Sequence, residues 1–261
     1  MRPWREIGAR IVMVGVVAAA LASDATAQSA PRGTPPPAPP PTDFMLGRPK
    51  GFITLEGGFL FANAGSDLYD FVTSQLTLDK KAFNAPVIGG RLGWSVTPSL
   101  DVAVLYERAQ SSTPSEYRDF VDGDLLPIQQ TTERKEDHIG LSVRWSLVPS
   151  GRRISRFAWI PRAITPYVGG GAGAVRYQFR QYGSFVDFQT LRVFDATFAS
   201  EGWAPSAHAL AGLDVRVYRR LYVGADARYT WSRATLGADF VDFAPISLAG
   251  LRVGGNVKMV F

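Results

Sequence analysis

From residue 51 onward, apolar and polar side chains alternate with a period of two. In the segment HIGLSVRWSL (138–147), for example, Ile139, Leu141 and Val143 lie on one parity, and Ser142 and Arg144 lie on the other. A period of two is strand geometry, because successive side chains of a strand leave opposite faces. No apolar run in this region approaches the ~20 residues that a membrane helix needs. The body of the chain is therefore predicted to be all-β.

Eight segments of about 10–14 residues show this alternation, which is the length of a tilted transmembrane strand. They are residues 51–61, 87–96, 100–108, 138–147, 166–180, 206–217, 221–231 and 248–261. Aromatic residues stand near the segment ends on the apolar parity, as in the girdles at membrane interfaces. These aromatics are Trp94, Tyr106, Trp145, Tyr167, Tyr177, Tyr229, Trp231 and Phe261.

The connections alternate between short turns and long loops. Short turns lie at 97–99 and 218–220, and long loops lie at about 62–86, 110–136, 181–205 and 234–247. Lipid cannot satisfy free backbone amides and carbonyls, so a sheet that spans a membrane must close. We therefore predict a closed antiparallel transmembrane β-barrel over residues 51–261, with eight strands. Ten strands are possible, because the long connection 149–163 either rests on the periplasmic headgroup layer or contains an extra strand pair.

The polar parity carries charges that a barrel would enclose. They are Glu56, Arg91, Asp101, Glu107, Arg144, Arg176, Asp214, Arg216, Asp226, Arg228, Arg252 and Lys258. An eight-stranded barrel is just wide enough for side chains to fill it. Opposite charges in so narrow a lumen are expected to pair, because an unpaired buried charge costs several kcal/mol. Two hypotheses follow, a charged plug that fills the barrel and a narrow pore that favours anions.

The N-terminal region is interpreted as an export signal followed by a spacer. Residues 1–27 combine a basic start, an apolar run and the small-residue cleavage site Ala25-Thr26-Ala27, which together indicate a secretory signal peptide. Residues 28–50 contain eight prolines between Pro31 and Pro49. Proline lacks an amide donor, so this segment is predicted to be a periplasmic spacer that joins neither a helix nor a sheet.

Three features point to one family: the signal peptide, the glycine-aromatic strand PYVGGGAG (166–173) and the turn VTPSLDV (96–102). In these features the sequence resembles the eight-stranded outer-membrane barrels of Gram-negative bacteria, the OmpA-like and OmpX-like family. Val257, Met259 and Phe261 are similar to the family's C-terminal assembly signal, although Asn256 stands where that pattern has glycine. The resemblance implies location in the outer membrane after export. It implies as partners the outer-membrane lipids, lipopolysaccharide and the barrel-assembly machinery.

Other functional classes find little support. The chain has no cysteine and two histidines, and its net charge of +5 is scattered, so neither a Cys-ligated metal site nor nucleic-acid binding is predicted. Ser206 and His208 share a strand face, but they lack a nucleophile elbow. Two further features have plainer explanations. His138 beside Glu136 and Asp137 is interpreted as a solvated strand end, and the glycines of 169–173 as close strand packing. We therefore predict no enzyme and no cofactor.

The predicted role is structural, stabilising the envelope, or interactive and adhesion-like, acting through the long outer loops. Loop 181–205 is rich in aromatics, and the period of two continues into it, so the fifth and sixth strands are expected to protrude as a hairpin. A narrow porin-like channel for ions or small solutes is the alternative. A lipid-modifying hydrolase is a remote third hypothesis.

Overall fold

A computed structural model describes residues 44–261, so the signal peptide 1–27 and residues 28–43 of the spacer lie outside the described part. Eight long strands form the body of the molecule, and we number them in chain order. They are β1 (Gly51–Ala62), β2 (Ala85–Ser95), β3 (Leu100–Val121), β4 (Pro127–Ser146), β5 (Ile164–Val186), β6 (Val193–Tyr218), β7 (Leu221–Ala234) and β8 (Gly250–Val260).

These eight strands form a closed ring. Each strand pairs antiparallel with the next, and β8 returns to pair with β1 along its whole length, from Gly250 opposite Ala62 to Val260 opposite Phe52. The short turns at 96–99 and 219–220 lie at one end of the ring, here called the short-turn end. Gly51 N donates to Phe261 O at that end, 2.9 Å away, so β1 begins beside the end of β8. The prediction of a closed eight-stranded antiparallel barrel is confirmed.

The outside of the ring is apolar over the height of a bilayer. On β4, Leu141 is 60 % exposed, and Val143, Trp145 and Leu147 point outward with it. From Leu147 to Asp137 the strand covers about ten residues at ~3.3 Å each, which corresponds to an apolar band about 25 Å tall once the strand is tilted. The barrel is therefore a transmembrane barrel. Residues 44–261 contain no helix long and apolar enough to cross a membrane.

The band ends at a charged row on the outer face of three neighbouring strands. Arg108 of β3 lies opposite Asp137 of β4, which lies opposite Arg176 of β5. Above this row β3, β4, β5 and β6 continue together as a four-stranded sheet, here called the wall. Protrusion of the fifth and sixth strands is thereby confirmed. The prediction of a loop at 110–136 is wrong, because β3 and β4 continue to Val121 and from Pro127.

A small folded cap closes the barrel at the wall end. It contains helix α1 (Asp67–Gln75) and two 3₁₀ turns, Lys80–Phe83 and Ala238–Phe240, while a two-residue strand, Ile246–Ser247, pairs with the end of β7. The cap packs into the outer cluster, a group of buried apolar side chains. Its members include Leu68, Tyr69, Val72, Leu76, Phe83, Val175, Tyr177, Phe179, Phe240 and Ile246. Burial raises the pKa of Tyr69 to about 12, so its neutral hydroxyl donates to the Ser247 carbonyl at 3.0 Å.

A three-stranded sheet, here called the lid, closes the short-turn end. Gly151–Arg153 pairs with Ala158–Pro161, which pairs in turn with Met45–Leu46. The connection 149–163 thus holds an extra strand pair that stays out of the ring, and the ten-strand alternative is wrong.

The expectation that residues 28–50 join no sheet is also wrong at Met45–Leu46. This pair lies in the proline-free stretch between Pro41 and Pro49, where backbone amides can bond to a neighbouring strand. Trp159 of the lid is 4 % exposed and packs with Met45 and Phe52 in the inner cluster.

Candidate functional site

The lumen holds the chemistry of this chain. Of the twelve charged residues expected inside, eleven point inward. These are Glu56, Arg91, Asp101, Glu107, Arg144, Asp214, Arg216, Asp226, Arg228, Arg252 and Lys258. Arg216 is half-buried near the short-turn end, whereas the other ten take part in ion pairs that fall into two sets, one of four residues and one of six. The arrangement is built by the strand pleat, which places every second residue on the inner face.

Arg176 is the exception, and its assignment to the lumen is wrong. Its side chain is 55 % exposed on the outer face, 3.7 Å from Glu201. The same reversal places Tyr177 and Phe179 inside, although they were assigned to the lipid face. The reason is the membrane boundary. Above the charged row, water surrounds the outside of the barrel and the dry outer cluster fills its inside. In this part of β5 the inward-facing side chains are therefore apolar and the outward-facing ones are polar, which is the reverse of the pattern expected within the membrane. Tyr167 also lies inside, for a different reason described next.

The layer nearest the short-turn end joins two acids to two bases across the lumen. Nη2 of Arg144 lies 2.8 Å from Oδ2 of Asp214 and 3.6 Å from Oδ2 of Asp101. Nζ of Lys258 contacts the same two carboxylates, at 3.2 Å and 3.5 Å. Tyr167 packs its ring 3.9 Å from the Arg144 guanidinium carbon, as in a cation–π contact, which explains why this aromatic faces the lumen.

A middle layer is centred on Arg91. Its Nε donates to Glu56, and its Nη2 donates to Oδ2 of Asp226 at 2.5 Å. The same Asp226 oxygen accepts a bond from the Tyr167 hydroxyl at 3.2 Å and one from the Asn256 amide at 3.4 Å. Asp226 therefore bridges an arginine to two neutral donors. Through Tyr167 it also connects this middle layer to the layer nearest the short-turn end.

The layer toward the wall end is centred on Glu107, whose two carboxylate oxygens contact Arg228 and Arg252. Arg228 also lies 3.7 Å from Glu56, which connects this layer to the middle one. Arg252 lies 3.7 Å from Glu136, which accepts a bond from Arg134. The ion pairs thus form two sets, one around Arg144 and one from Arg91 to Arg134, which Tyr167 joins into a column through the membrane.

Sequence reasoning missed the top of this column. Glu136 was assigned to an outer loop, and Arg134 was not singled out, yet both are buried inside the barrel. A signal was present: both share the parity of Ser142 and Arg144, so extending the β4 alternation upward would have placed them inside. His138, interpreted as a solvated strand end, is 0 % exposed for the same reason. Residues 44–261 contain no group of three or more potential metal ligands.

The two histidines and two serines lie together in the lumen. Nε2 of His138 is 3.0 Å from Ser206 Oγ, and Nε2 of His208 is 3.3 Å from Ser142 Oγ. Nδ1 of His138 is 3.9 Å from Glu107, so Ser206, His138 and Glu107 lie in Ser–His–acid order. On the sequence alone, Ser206 was considered with His208, and no enzyme was predicted. These side chains are buried between ion pairs, and Glu107 is already bound by two arginines. The geometry therefore resembles a hydrogen-bonded filling of the lumen and provides no route for an acyl substrate.

Glycines 169–171 and 173 lie within β5, as close strand packing requires, and no helix follows them. A Cβ on Gly171 would meet Leu141 O at 2.0 Å and the His208 ring at 2.8 Å. Gly171 is therefore needed for the close approach of its neighbours, and a phosphate loop is excluded.

Comparisons with known proteins find remote structural likenesses only. No family model and no curated protein matches the sequence. Among solved structures, the chain is similar to Neisserial surface protein A, at 13 % identity and a TM-score of 0.46 over 81 % of this chain and 97 % of that one. It is also similar to OprG of Pseudomonas aeruginosa, at 12 % identity and a TM-score of 0.39 over 83 % and 96 %. A third neighbour is Ail of Yersinia pestis, at 12 % identity and a TM-score of 0.35 over 80 % of this chain and 99 % of that one. Like the family that the sequence resembles, these are small eight-stranded outer-membrane barrels. Because the likenesses are remote, the fold described here rests on the closed strand ladder.

Proposed function

We propose that this protein is a closed barrel of the Gram-negative outer membrane, with a structural and surface-interaction role and no catalytic activity. In this proposal the short-turn end and the lid face the periplasm, and the wall projects from the cell. The wall supports an interactive role, because it extends β3–β6 well above the apolar band and ends in the exposed turns at 122–126 and 187–192.

One observation carries the proposal: the lumen is filled by a column of ion pairs whose two sets are joined at Tyr167, and an apolar cluster seals each end. The inner cluster contains Phe52 and Trp159, and the outer cluster contains Tyr69 and Phe179. A passing ion would have to displace these paired charges, and it would then meet a dry cluster. This arrangement supports a plug rather than the narrow pore.

Conductance measurements test the plug directly. The purified protein in planar lipid bilayers is expected to give no discrete channel openings.

Asp226→Ala removes the acceptor of three bonds in the middle layer, so it is expected to lower the unfolding midpoint. Glu201→Ala, on the outer face of the wall, is the matched control and should leave the midpoint unchanged. Regular openings in the unchanged protein, together with an unaltered midpoint for Asp226→Ala, would favour a water-filled pore.

The proposal includes lipopolysaccharide as a partner of the outer face. Arg108 and Arg176 stand in the charged row directly above the apolar band, where the phosphate groups of the outer leaflet would lie. Their acidic neighbours, Asp137 at 3.2 Å and Glu201 at 3.7 Å, leave exposed donors on both guanidinium groups. Arg108→Gln with Arg176→Gln should weaken binding of purified lipopolysaccharide, and Arg153→Gln on the lid should not.

Export and assembly complete the proposal. Residues 1–27 would direct export, and the outward-facing Val257, Met259 and Phe261 of the last strand would engage the assembly machinery. Phe261→Ala should reduce the folded fraction in the outer membrane, as measured by heat-dependent migration in gels. Leu251→Ala, an outward position of β8 away from this group, is the control.

A further inference from the structure

The wall encloses a cavity of about 210 Å³ between its inner face, helix α1 and the 3₁₀ turn Ala238–Phe240. The cavity lies outside the ion-pair column, above the membrane part of the barrel. Its floor includes Val72, Leu76 and Phe240, which belong to the outer cluster. The cavity is therefore a recess that is open to solvent on one side and closed at its floor, so it is not the mouth of a passage through the barrel.

Phenyl rings surround the cavity in a connected series. Phe71 contacts Phe243 with ring centroids 5.4 Å apart, and Phe240 lies 6.4 Å beyond Phe243. On the other side, Phe185 and Phe198 meet edge to face at 4.8 Å. Such edge-to-face and tilted arrangements are those that aromatic rings prefer, so a further flat ring in the cavity would find the same contacts.

The lining is mainly apolar, and its polar members are Gln75, Tyr117, Gln130, Gln181 and Asp239. Gln130 lines the cavity and is only 5 % exposed, and its Oε1 has no hydrogen-bond partner among the described residues. An unsatisfied buried acceptor is costly, and a ligand donor would relieve that cost. Asp239 is the one charged residue among those that line the cavity, and its Oδ2 already accepts a bond from Ala199 N at 2.9 Å. These features select against an ion and in favour of a neutral molecule with one donor.

We propose that this cavity binds a small uncharged aromatic molecule that carries a single hydrogen-bond donor. An apolar cavity of about 150 Å³ is enough for benzene, so the larger volume here suits a bicyclic ring. The ring packs among the phenylalanines, and the donor meets the Gln130 amide oxygen. Phe188 and Phe194, both partly exposed at the cavity, stand where the molecule enters from solvent. Binding at this site is independent of whether the lumen is a plug or a pore.

Indole and indene are the probes, because they have almost the same shape and only indole carries an N–H donor. Saturation-transfer NMR and titration use the full chain in lipid nanodiscs, with empty nanodiscs as the blank for partition into lipid. Indole is expected to bind roughly tenfold more tightly than indene, the ratio that one satisfied buried acceptor supplies. Equal signals from empty and loaded nanodiscs would overturn the proposal.

Two variants locate the binding. Gln75→Trp places a bulky ring at the cavity edge and should abolish binding of both probes, whereas Ser74→Trp, on the neighbouring exposed position of α1, should leave it intact. Gln130→Leu should keep indene binding and remove the advantage of indole. Retained binding in Gln75→Trp, or an unchanged indole preference in Gln130→Leu, would show that the cavity is not the site. Circular dichroism and heat-dependent migration confirm that each variant is folded.

Discussion

Arg144 of β4 and Asp214 of β6 form an ion pair of 2.8 Å although β5 lies between their strands in the ring. Their contact therefore crosses the lumen and does not follow the sheet surface. Lys258 of β8 reaches the same Asp214 oxygen from a third direction, at 3.2 Å. One carboxylate thus connects three strands through the interior, and it adds a brace that the backbone ladder alone would not supply.

The first prediction concerns this brace. Asp214→Ala leaves Arg144 and Lys258 sharing the single remaining acid Asp101, in an interior where uncompensated charge is costly. Breaking a buried pair typically costs about 3–5 kcal/mol, so the free energy of unfolding in lipid vesicles should fall by about 3 kcal/mol. Urea titration followed by tryptophan fluorescence measures it. The exposed Glu201→Ala variant should change it by less than about 1 kcal/mol. Equal midpoints for the two variants would mean that water already screens the lumen.

The second prediction concerns the lipid face. Leu141 lies in the middle of the apolar band between Val104 and Ala172 of the neighbouring strands. Leu141→Arg should cost about 2–4 kcal/mol near the bilayer midplane. Gln178→Arg, on the outer face of β5 above the charged row, should cost almost nothing because water surrounds it. Equal costs at the two positions would show that the apolar band is placed at the wrong height.

The alternation of side chains was enough to predict the ring, because every membrane strand of a barrel faces lipid on one side and a polar lumen on the other. It also placed Arg91, Asp101 and Asp226 inside before any contact was known. Alternation carries no information about partners across the lumen. The pairing of Arg144 with Asp214 depends on which strands face each other after closure, and that follows from tilt and register.

Two features of the fold were predicted wrongly from the sequence, each for a local physical reason: the faces of β5 and the third strand of the lid. The side-chain pattern of β5 reverses its meaning at the membrane boundary, so Arg176 and Tyr177 were assigned to the wrong faces. The boundary itself becomes visible only when Arg108, Asp137 and Arg176 align across strands. The strand pair of the lid was one of the two alternatives for residues 149–163, but its third strand was missed. Met45–Leu46 is too short to show a period, and its pairing with residues more than a hundred positions away leaves no local trace.

The third prediction concerns the lid. Trp159 is buried against Met45 and Phe52, and its loss should cost about 3 kcal/mol of local packing. Because the lid is a small unit, we expect that cost to appear as local opening rather than unfolding of the barrel. Trp159→Ala should therefore raise the rate of trypsin cleavage after the exposed Arg152 or Arg153 by more than tenfold, as measured by mass spectrometry. Phe157→Ala, at a position 69 % exposed, should leave the rate unchanged.

The fourth prediction concerns pH at the tip of the wall. The Thr190 hydroxyl, at 2.8 Å, lowers the pKa of Asp187, and the backbone amides of Gln189 and Thr190 add to this effect. A lowered pKa means that the carboxylate stabilises the turn above its ordinary pKa, and that this stabilisation is lost as the pH falls through the lowered value. The protection of the amides at residues 189–191, measured relative to their intrinsic exchange rate, should therefore fall in acid. Thr190→Val should return the pKa of Asp187, followed by NMR, toward its usual range. An unshifted titration in the unchanged protein would contradict the turn geometry.

The last prediction fixes the orientation of the barrel, on which the proposed periplasmic lid and external wall depend. The chain has no cysteine, so a single introduced thiol reports its own position without background. Ser155 and Thr190 are both exposed, one in the lid hairpin and one in the turn between β5 and β6 at the opposite end. In intact cells, a membrane-impermeant maleimide should label Thr190→Cys and spare Ser155→Cys. After the outer membrane is permeabilised, both should react at similar rates, because neither side chain is buried. Labelling of Ser155→Cys without permeabilisation, with Thr190→Cys protected, would place the short-turn end outside the cell and reverse the topology. Labelling of both thiols in intact cells would show that the lid does not face a closed compartment.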